Sequence, residues 1–395
     1  MDNIALGTNT ELTDEQFYNR EEDISWMKNF LESTSKGSPP TIMVTGIRGV
    51  GKTVLLKKIK KELENDYLIS YIDLSITSGY QKGKLTEVGI MNEFYDCWMN
   101  ECKKKGITTI FKKILKMSKK SLGLREIVEV AGWPLPIPET EDDYKKLSKF
   151  VLDLPQSIYE EDPKRIKGSI LIIDEFQAIK DLGVNLESFL WFFRGVIQSQ
   201  RNVAYIFSGS VPSTDSVVKE MASNDGVFGG RILTFSIPPF TKDTVREYLK
   251  ERIPSLIFEE NGFERFYHCT KGVPFYVNTF ARILPKEVSL DDDRVKIEFK
   301  NSLTFLAVHF MNQWSRLTFQ EQCIITKVID KPMKRIDIAT SLGKKPGALS
   351  VSLRKLQDRG LLKSENRQYS ITEPIFKAWL EKEYDEKGVF PFRSI

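Results

Sequence analysis

The sequence predicts an α/β fold in which a parallel sheet is flanked by helices and followed by two smaller, mainly helical regions. Three observations predict it. A glycine loop ending in Lys52-Thr53 lies between a β-branched run and a helical pattern, a second apolar run ends in Asp174-Glu175, and beyond residue 315 short helical patterns closed by glycine lead into two strand-like runs. The chain has 395 residues, 41% apolar and 28% charged, enough for two or three domains with a sizeable core. No stretch approaches the roughly 18 to 20 apolar residues of a membrane span. The polar, acidic start does not read as a secretory signal. With the scattered cysteines Cys97, Cys102, Cys269 and Cys323, this suggests a cytoplasmic protein with reduced thiols. His268 and His309, the two histidines of the chain, have no His or Cys pair at ligand spacing, so a zinc site is not expected.

The first element is Thr41-Ile42-Met43-Val44-Thr45, bounded by Pro39-Pro40 as a buried strand would be. Next comes Gly46-Ile47-Arg48-Gly49-Val50-Gly51-Lys52-Thr53, a complete G-x-x-x-x-G-K-T loop, and then Val54-Leu55-Leu56 and Ile59 at helical spacing. Strand, loop and helix in that order make this a P-loop nucleotide site. Glycines let the backbone N–H groups of Gly46 to Val54 close around phosphates, where side chains would intrude. The helix N-terminus adds partial positive charge. Lys52 can reach the β- and γ-phosphates, and the Thr53 hydroxyl can ligate Mg²⁺.

Ser169-Ile170-Leu171-Ile172-Ile173-Asp174-Glu175 supplies the acidic strand that such a loop requires. Asp174 would hold Mg²⁺ through water, while Glu175 would orient or deprotonate the attacking water. Gln177 is a further candidate for sensing the γ-phosphate. A third strand, Val203 to Phe207, runs into Ser208-Gly209-Ser210. Ser208 or Ser210 could report the γ-phosphate, the alternative being a plain strand-to-loop turn. Arg231, after Gly229-Gly230 and before the strand Ile232 to Ile237, could neutralise charge on the leaving phosphates or be a surface arginine. No N-K-x-D signature follows the acidic strand, which leaves adenine as the base and ATP/ADP with Mg²⁺ as the ligands.

These motifs, with Phe17-Tyr18-Asn19-Arg20-Glu21-Glu22 before them and Thr270-Lys271-Gly272-Val273-Pro274-Phe275-Tyr276 after them, resemble the archaeal ATPase family over roughly residues 17 to 380. That family is related to AAA+ and STAND-class ATPases and to replication initiators. The first segment resembles the family's F-x-x-R-E box, which implies that Arg20 lies near the adenine. The second resembles the lid's GG-x-P-x-Y, which implies that Pro274 packs against the nucleotide. Lys271 replaces the first lid glycine, and Arg282 is the nearest candidate for a lid sensor arginine.

The organisation expected is a P-loop domain over residues 1–240, a helical lid over 241–315 and a winged helix over 316–395. Residues 76–167 form a long connection, read as a helical insertion because so long a structureless loop is uncommon. Within it Lys103, Lys104, Lys105, Lys112, Lys113, Lys116, Lys119 and Lys120 interleave with Ile107, Ile110, Phe111, Ile114 and Leu115. That pattern suits either a solvated helix face or a contact with nucleic acid or a membrane surface. Trp133 to Pro138, with alternate prolines, reads as extended. In the lid, Thr241 is the expected cap of the first helix, and Phe263, Phe266 and Tyr267 are expected inside. Further on, helices from Leu317, from Arg335 and over Pro346 to Arg359 precede strands at Leu361 to Lys363 and Gln368 to Ile371. Ser350-x-x-Leu353-x-x-Leu356-x-x-x-Gly360-Leu361-Leu362 resembles the third helix and wing of a winged helix. Its outward positions Gly347, Ser350, Val351 and Lys355, with Lys344, Lys345, Arg354, Arg359, Lys363 and Arg367, suit duplex DNA phosphates better than base edges. A protein contact is the alternative.

Taken together, the residues imply a slow ATPase acting as a nucleotide switch coupled to the winged helix, alone, as a homo-oligomer or with protein partners. The rival reading is a DNA-binding regulator, similar to a replication initiator, that holds ATP or ADP with little turnover.

Overall fold

The computed structural model describes residues 11–83, 85–107, 127–130, 133–136, 141–209, 221 and 226–392. The chain divides into two compact units: Arg20–Arg48 with Lys52–Ile237, and Met1–Asn19, Gly49–Gly51 and Pro238–Ile395.

The first unit contains strands β1 (Thr41–Thr45), β2 (Leu68–Asp73), β3 (Ile127–Val130), β4 (Trp133–Pro136), β5 (Ser169–Asp174), β6 (Val203–Gly209) and β7 (Leu233–Ser236). Five of them build one sheet in the order β2-β5-β6-β1-β7, with every neighbouring pair parallel. This is the α/β fold that the apolar runs predict. Every residue of β5 and β6 is buried, because a central parallel strand is covered on both faces and cannot alternate apolar with polar. Parallel neighbours need crossovers. The helices α2 (Lys52–Leu63), α3 (Ser78–Gln81), α4 (Glu87–Lys104), α5 (Glu141–Glu161) and α6 (Leu186–Ser199) lie along those connections, and α1 (Glu21–Glu32) precedes β1.

The segment between β2 and β5 holds α4 and α5 and the antiparallel β3–β4 pair. The extended stretch expected at the alternate prolines begins as β4. The Thr86 hydroxyl caps α4 by accepting from the Gly89 N–H, and α4 buries Ile90, Met91, Phe94, Tyr95, Trp98 and Met99. Side chains of that size contribute about 1.5–3 kcal/mol each on full burial. The lysine-rich stretch beyond Ile107 and the candidate Ser210 lie outside the described residues.

In the second unit, Thr241 caps α7 (Lys242–Arg252) through the Thr244 N–H. After it come β8 (Ile257–Phe258), α8 (Glu260–Thr270), α9 (Pro274–Ile283), β9 (Ser289–Leu290), α10 (Asp292–Leu306) and α11 (Val308–Ser315). Phe266 and Phe280 are buried and stack face to face at 5.3 Å. Phe263 is buried as expected. Tyr267 is only half-buried, its hydroxyl donating to the Phe240 carbonyl at 3.3 Å. Lys271 takes a left-handed conformation (φ 52°) at the end of α8, so the replaced family glycine is tolerated at a modest backbone cost. Gly272 has no such latitude: a Cβ there would lie 2.0 Å from the Phe240 carbonyl oxygen.

The C-terminal part carries α12 (Phe319–Lys327), β10 (Met333–Lys334), α13 (Arg335–Ser341), α14 (Ser350–Asp358), β11 (Leu362–Glu365), β12 (Gln368–Ile371) and α15 (Pro374–Lys387). Thr318 and Glu321 form a reciprocal capping box on α12. The helix expected from Pro346 starts later, because Pro346–Leu349 is a tighter 3₁₀ turn. The sequence predicts two strands and three form, in the antiparallel order β10-β12-β11. Aromatic packing joins Phe310, Trp314, Phe376 and Trp379.

Candidate nucleotide site

The site is built at the C-terminal ends of the central strands, where a glycine turn frees β1 to enter α2. Gly46, Gly49 and Gly51 have φ of 152°, 80° and 100°, values that side chains rarely adopt. Lys52 opens α2 and is 5% exposed. Its Nζ donates to the carbonyls of Gly46 at 2.8 Å and Ile47 at 3.1 Å. Burial depresses its pKa to about 8 against the opposing pull of Glu175 and Asp174, and Arg48 adds to the lowering. An ammonium held so deep gains from any further anion placed beside it.

Thr53 follows on α2, and its Oγ1 donates to Asp174 Oδ2 at 2.6 Å. The Tyr71 hydroxyl, from β2, donates to the same oxygen at 2.7 Å. Asp174 Oδ1 accepts from the Glu175 N–H at 2.9 Å. Asp174 is buried, so these three donors offset the loss of water around its charge. Hydroxyl and carboxylate oxygens are the donor chemistry of Mg²⁺, a hard cation that completes its shell with water and phosphate oxygens.

Glu175 is half-buried and left-handed (φ 50°, ψ 40°). That conformation is uncommon for glutamate and strained turns of this kind cluster at functional sites. Gln177 Nε2 donates to Glu175 Oε2, while the Gln177 Oε1 atom is buried without a partner among the described residues. On β6, Ser208 follows Phe207, the register partner of Ile173, and so stands beside the Asp174 position. Its hydroxyl is fully buried and also unpartnered among the described residues. Such groups cost free energy unless something arrives to bond them.

The structure thus brings together Lys52, Thr53, Asp174, Glu175 and Gln177, with Ser208 at the same strand ends. Gly46 and Ile47 enter through their carbonyls, Arg48 is exposed on the loop and Val54 is half-buried in α2. Arg20 caps α1 in a left-handed conformation, with Nη1 3.3 Å from Asp23 Oδ2. Arg231 is exposed just before β7, and its guanidinium makes no hydrogen bond or ion pair with the described residues. Gly49, Val50, Gly51 and Pro274 belong to the second unit, where Pro274 occupies the first turn of α9. Arg282 is exposed in the last turn of α9. The His268-Cys269 pair offers no nucleophile, since burial pushes the Cys269 thiol up to about 11.

Tyr71 and the φ of Glu175 have no motif to announce them. The one signal for Tyr71 is a tyrosine inside an apolar strand, where its hydroxyl must find a partner.

Residues 17–280 match the model of an ATPase domain predominantly from Archaea. Over 274 residues the chain is 27% identical to an uncharacterized ATP-binding protein of Methanocaldococcus jannaschii, covering 66% of this chain and 68% of that one. An uncharacterized ATP-binding protein of Pyrococcus abyssi is 25% identical over 268 residues, 66% and 70% of the two chains. Among solved structures, the Walker-type ATPase of Pyrococcus abyssi superposes with a TM-score of 0.63 at 20% identity, covering 93% of this chain and 98% of that one. That likeness concerns the fold. Among the described residues, no helix is long and apolar enough to cross a membrane.

Proposed function

The chain belongs to the family of ATPase domains found predominantly in Archaea, and from that premise we propose that it hydrolyses ATP slowly and uses the ATP/ADP difference as a switch. The observation that carries the reading is the group Lys52, Thr53, Asp174 and Glu175, drawn together from a loop and a strand end far apart in sequence. In this reading the loop from Gly46 to Val54 binds the phosphates. Lys52 turns its ammonium from the Gly46 and Ile47 carbonyls to the β- and γ-phosphate oxygens. Thr53 and Asp174 hold Mg²⁺, which when bound neutralises charge on those oxygens. Glu175 accepts a proton from water as the water oxygen bonds to the γ-phosphorus and the bond to the β,γ-bridging oxygen breaks. The unpartnered Ser208 hydroxyl and Gln177 carbonyl supply contacts to the γ-phosphate and the attacking water. Arg231 contributes charge to the leaving phosphates, Arg20 lies near the adenine and Pro274 packs against the nucleotide.

The domain boundaries follow the same reading: a P-loop domain to residue 240, a lid to 315 and a winged helix from 316. Helices α12, α13 and α14 with the β10-β12-β11 sheet are the parts a winged helix needs. The test is Glu175→Gln. It should keep ATP binding and lose turnover by at least about 100-fold; normal turnover would overturn the assignment.

A second reading, a DNA-binding regulator that holds its nucleotide, draws on one observation. Residues 327–367 carry eleven Lys or Arg against four Asp or Glu, in a chain whose totals are 58 and 54. All eleven cations are exposed. Such a surface binds phosphate backbones with little sequence preference and strong salt dependence. Nucleotide released from denatured protein, with turnover measured in the presence and absence of duplex DNA, separates the readings. Tightly held ADP with slow, unstimulated turnover favours a switch awaiting another signal, whereas turnover raised by DNA makes the C-terminal part a DNA contact. No duplex binding even at low salt sinks the DNA reading.

A further inference from the structure

We propose that Tyr71 is a positioning residue for the divalent cation that accompanies ATP, fixing the Asp174 carboxylate at the oxygen that Thr53 also reaches. The inference rests on the nucleotide reading given above and adds a residue to it. Tyr71 lies on β2 in register with Ile172, and Asp73, two residues on, is in register with Asp174. Register partners share a face of the sheet and side chains alternate with a period of two, so Tyr71 and Asp174 share one face. The tyrosine side chain is long enough to run along it from the Ile172 position to the carboxylate.

Its hydroxyl reaches Asp174 Oδ2 at 2.7 Å, the same atom that Thr53 Oγ1 reaches at 2.6 Å. With the Glu175 N–H on Oδ1, three of roughly four lone-pair sites on the carboxylate are occupied by fixed donors. The carboxylate therefore cannot rotate, and the one direction left open is where a cation-bound water can be received. The Lys57 ammonium lies 5.9 Å from the ring centroid. Removing the hydroxyl alone should leave the ring in place and free the carboxylate.

Groups that orient a metal ligand from outside typically change metal affinity 10- to 100-fold when removed. The experiment is Tyr71→Phe in the full-length chain, using a fluorescent ATP analogue titrated with Mg²⁺ and, separately, in EDTA, with melting temperature in EDTA as the control. Wild type and variant should bind the analogue equally in EDTA, the variant melting lower only by the one hydrogen bond lost from Asp174, while the Mg²⁺ midpoint of the variant rises about tenfold. An unchanged Mg²⁺ midpoint overturns the role of Tyr71. A variant that melts early and binds weakly in EDTA also overturns it, since the hydroxyl would then serve folding. A wild-type protein whose analogue binding ignores Mg²⁺, or is absent, fails the nucleotide reading itself, and that result is visible without the variant.

Discussion

The hydroxyl of Thr53 lies 2.6 Å from Oδ2 of Asp174, joining two residues 121 positions apart. One comes from the first turn of α2 and the other from the end of β5, so a loop motif and an acidic strand meet in one hydrogen bond. The hydroxyl proton is spent on the carboxylate, which leaves the oxygen its acceptor lone pairs, the chemistry a cation requires. Asp174→Asn removes the charge and turns one acceptor into a donor. Turnover should fall at least about 100-fold, near 2.7 kcal/mol of transition-state stabilisation. Binding of ATP in EDTA should survive. Loss of binding in both conditions would assign Asp174 to folding instead.

Lys52→Ala tests the other half of the site. The ammonium is buried on two carbonyls and its pKa is depressed by that burial, so it is held at a cost until phosphate arrives. The nucleotide-free variant should melt no lower than wild type within a degree or two. The upward shift that ATP produces in the wild type should vanish, because stabilisation by a ligand tracks its affinity. Differential scanning fluorimetry with and without MgATP gives both results.

How much of this is legible in the sequence depends on how local the physics is. Gly46 to Thr53 and Ile170 to Glu175 can be read directly, because glycine turns and fully apolar strands constrain residues adjacent in sequence. Thr241 can be placed as a cap for the same reason, since its side-chain oxygen meets an N–H three residues on. The partnership of Tyr71 with Asp174 cannot. It depends on β2 pairing beside β5 in one particular register across 103 residues, which no short pattern encodes. Sheet order is hidden likewise: β1 lies between β6 and β7, strands that follow it far along the chain. The two-residue β10 is too short to carry a period. Lys271 departs from the lid motif, yet the backbone there merely needs a left-handed residue, while the close approach to Phe240 falls on Gly272.

Close packing makes a sharper prediction at Gly262, in α8. A Cβ at that position would lie 1.8 Å from the Leu290 carbonyl oxygen and 2.7 Å from its carbon. These are backbone atoms of β9, which cannot rotate aside. Gly262→Ala should cost about 3 kcal/mol or more. Gly195, exposed in the interior of α6, is the opposite case: a methyl group added there would meet nothing within 4 Å. Gly195→Ala should therefore stabilise by about 0.5–1 kcal/mol through helix propensity. Urea unfolding of the two variants beside wild type checks both signs at once. A neutral Gly262→Ala would mean that α8 and β9 are less closely apposed than these distances require.

Glu373 predicts a pH dependence away from the nucleotide. It precedes α15 without capping it, and burial alone raises its pKa to about 7. The folded chain thus holds a proton there that the unfolded chain releases near the ordinary glutamate value. Between those two values the folded state binds more protons, so the contribution of this group to stability falls as pH rises from about 4.5 to 7. Above that window the buried charge costs at most about 3 kcal/mol, less whatever water reaches it. Glu373→Gln removes the titration while keeping size and polarity. The variant should be more stable than wild type at pH 8, and the difference should shrink to nearly nothing by pH 4.5. A gap that stays constant across that range, measured by urea unfolding at each pH, would show that the carboxyl is solvated and titrates normally.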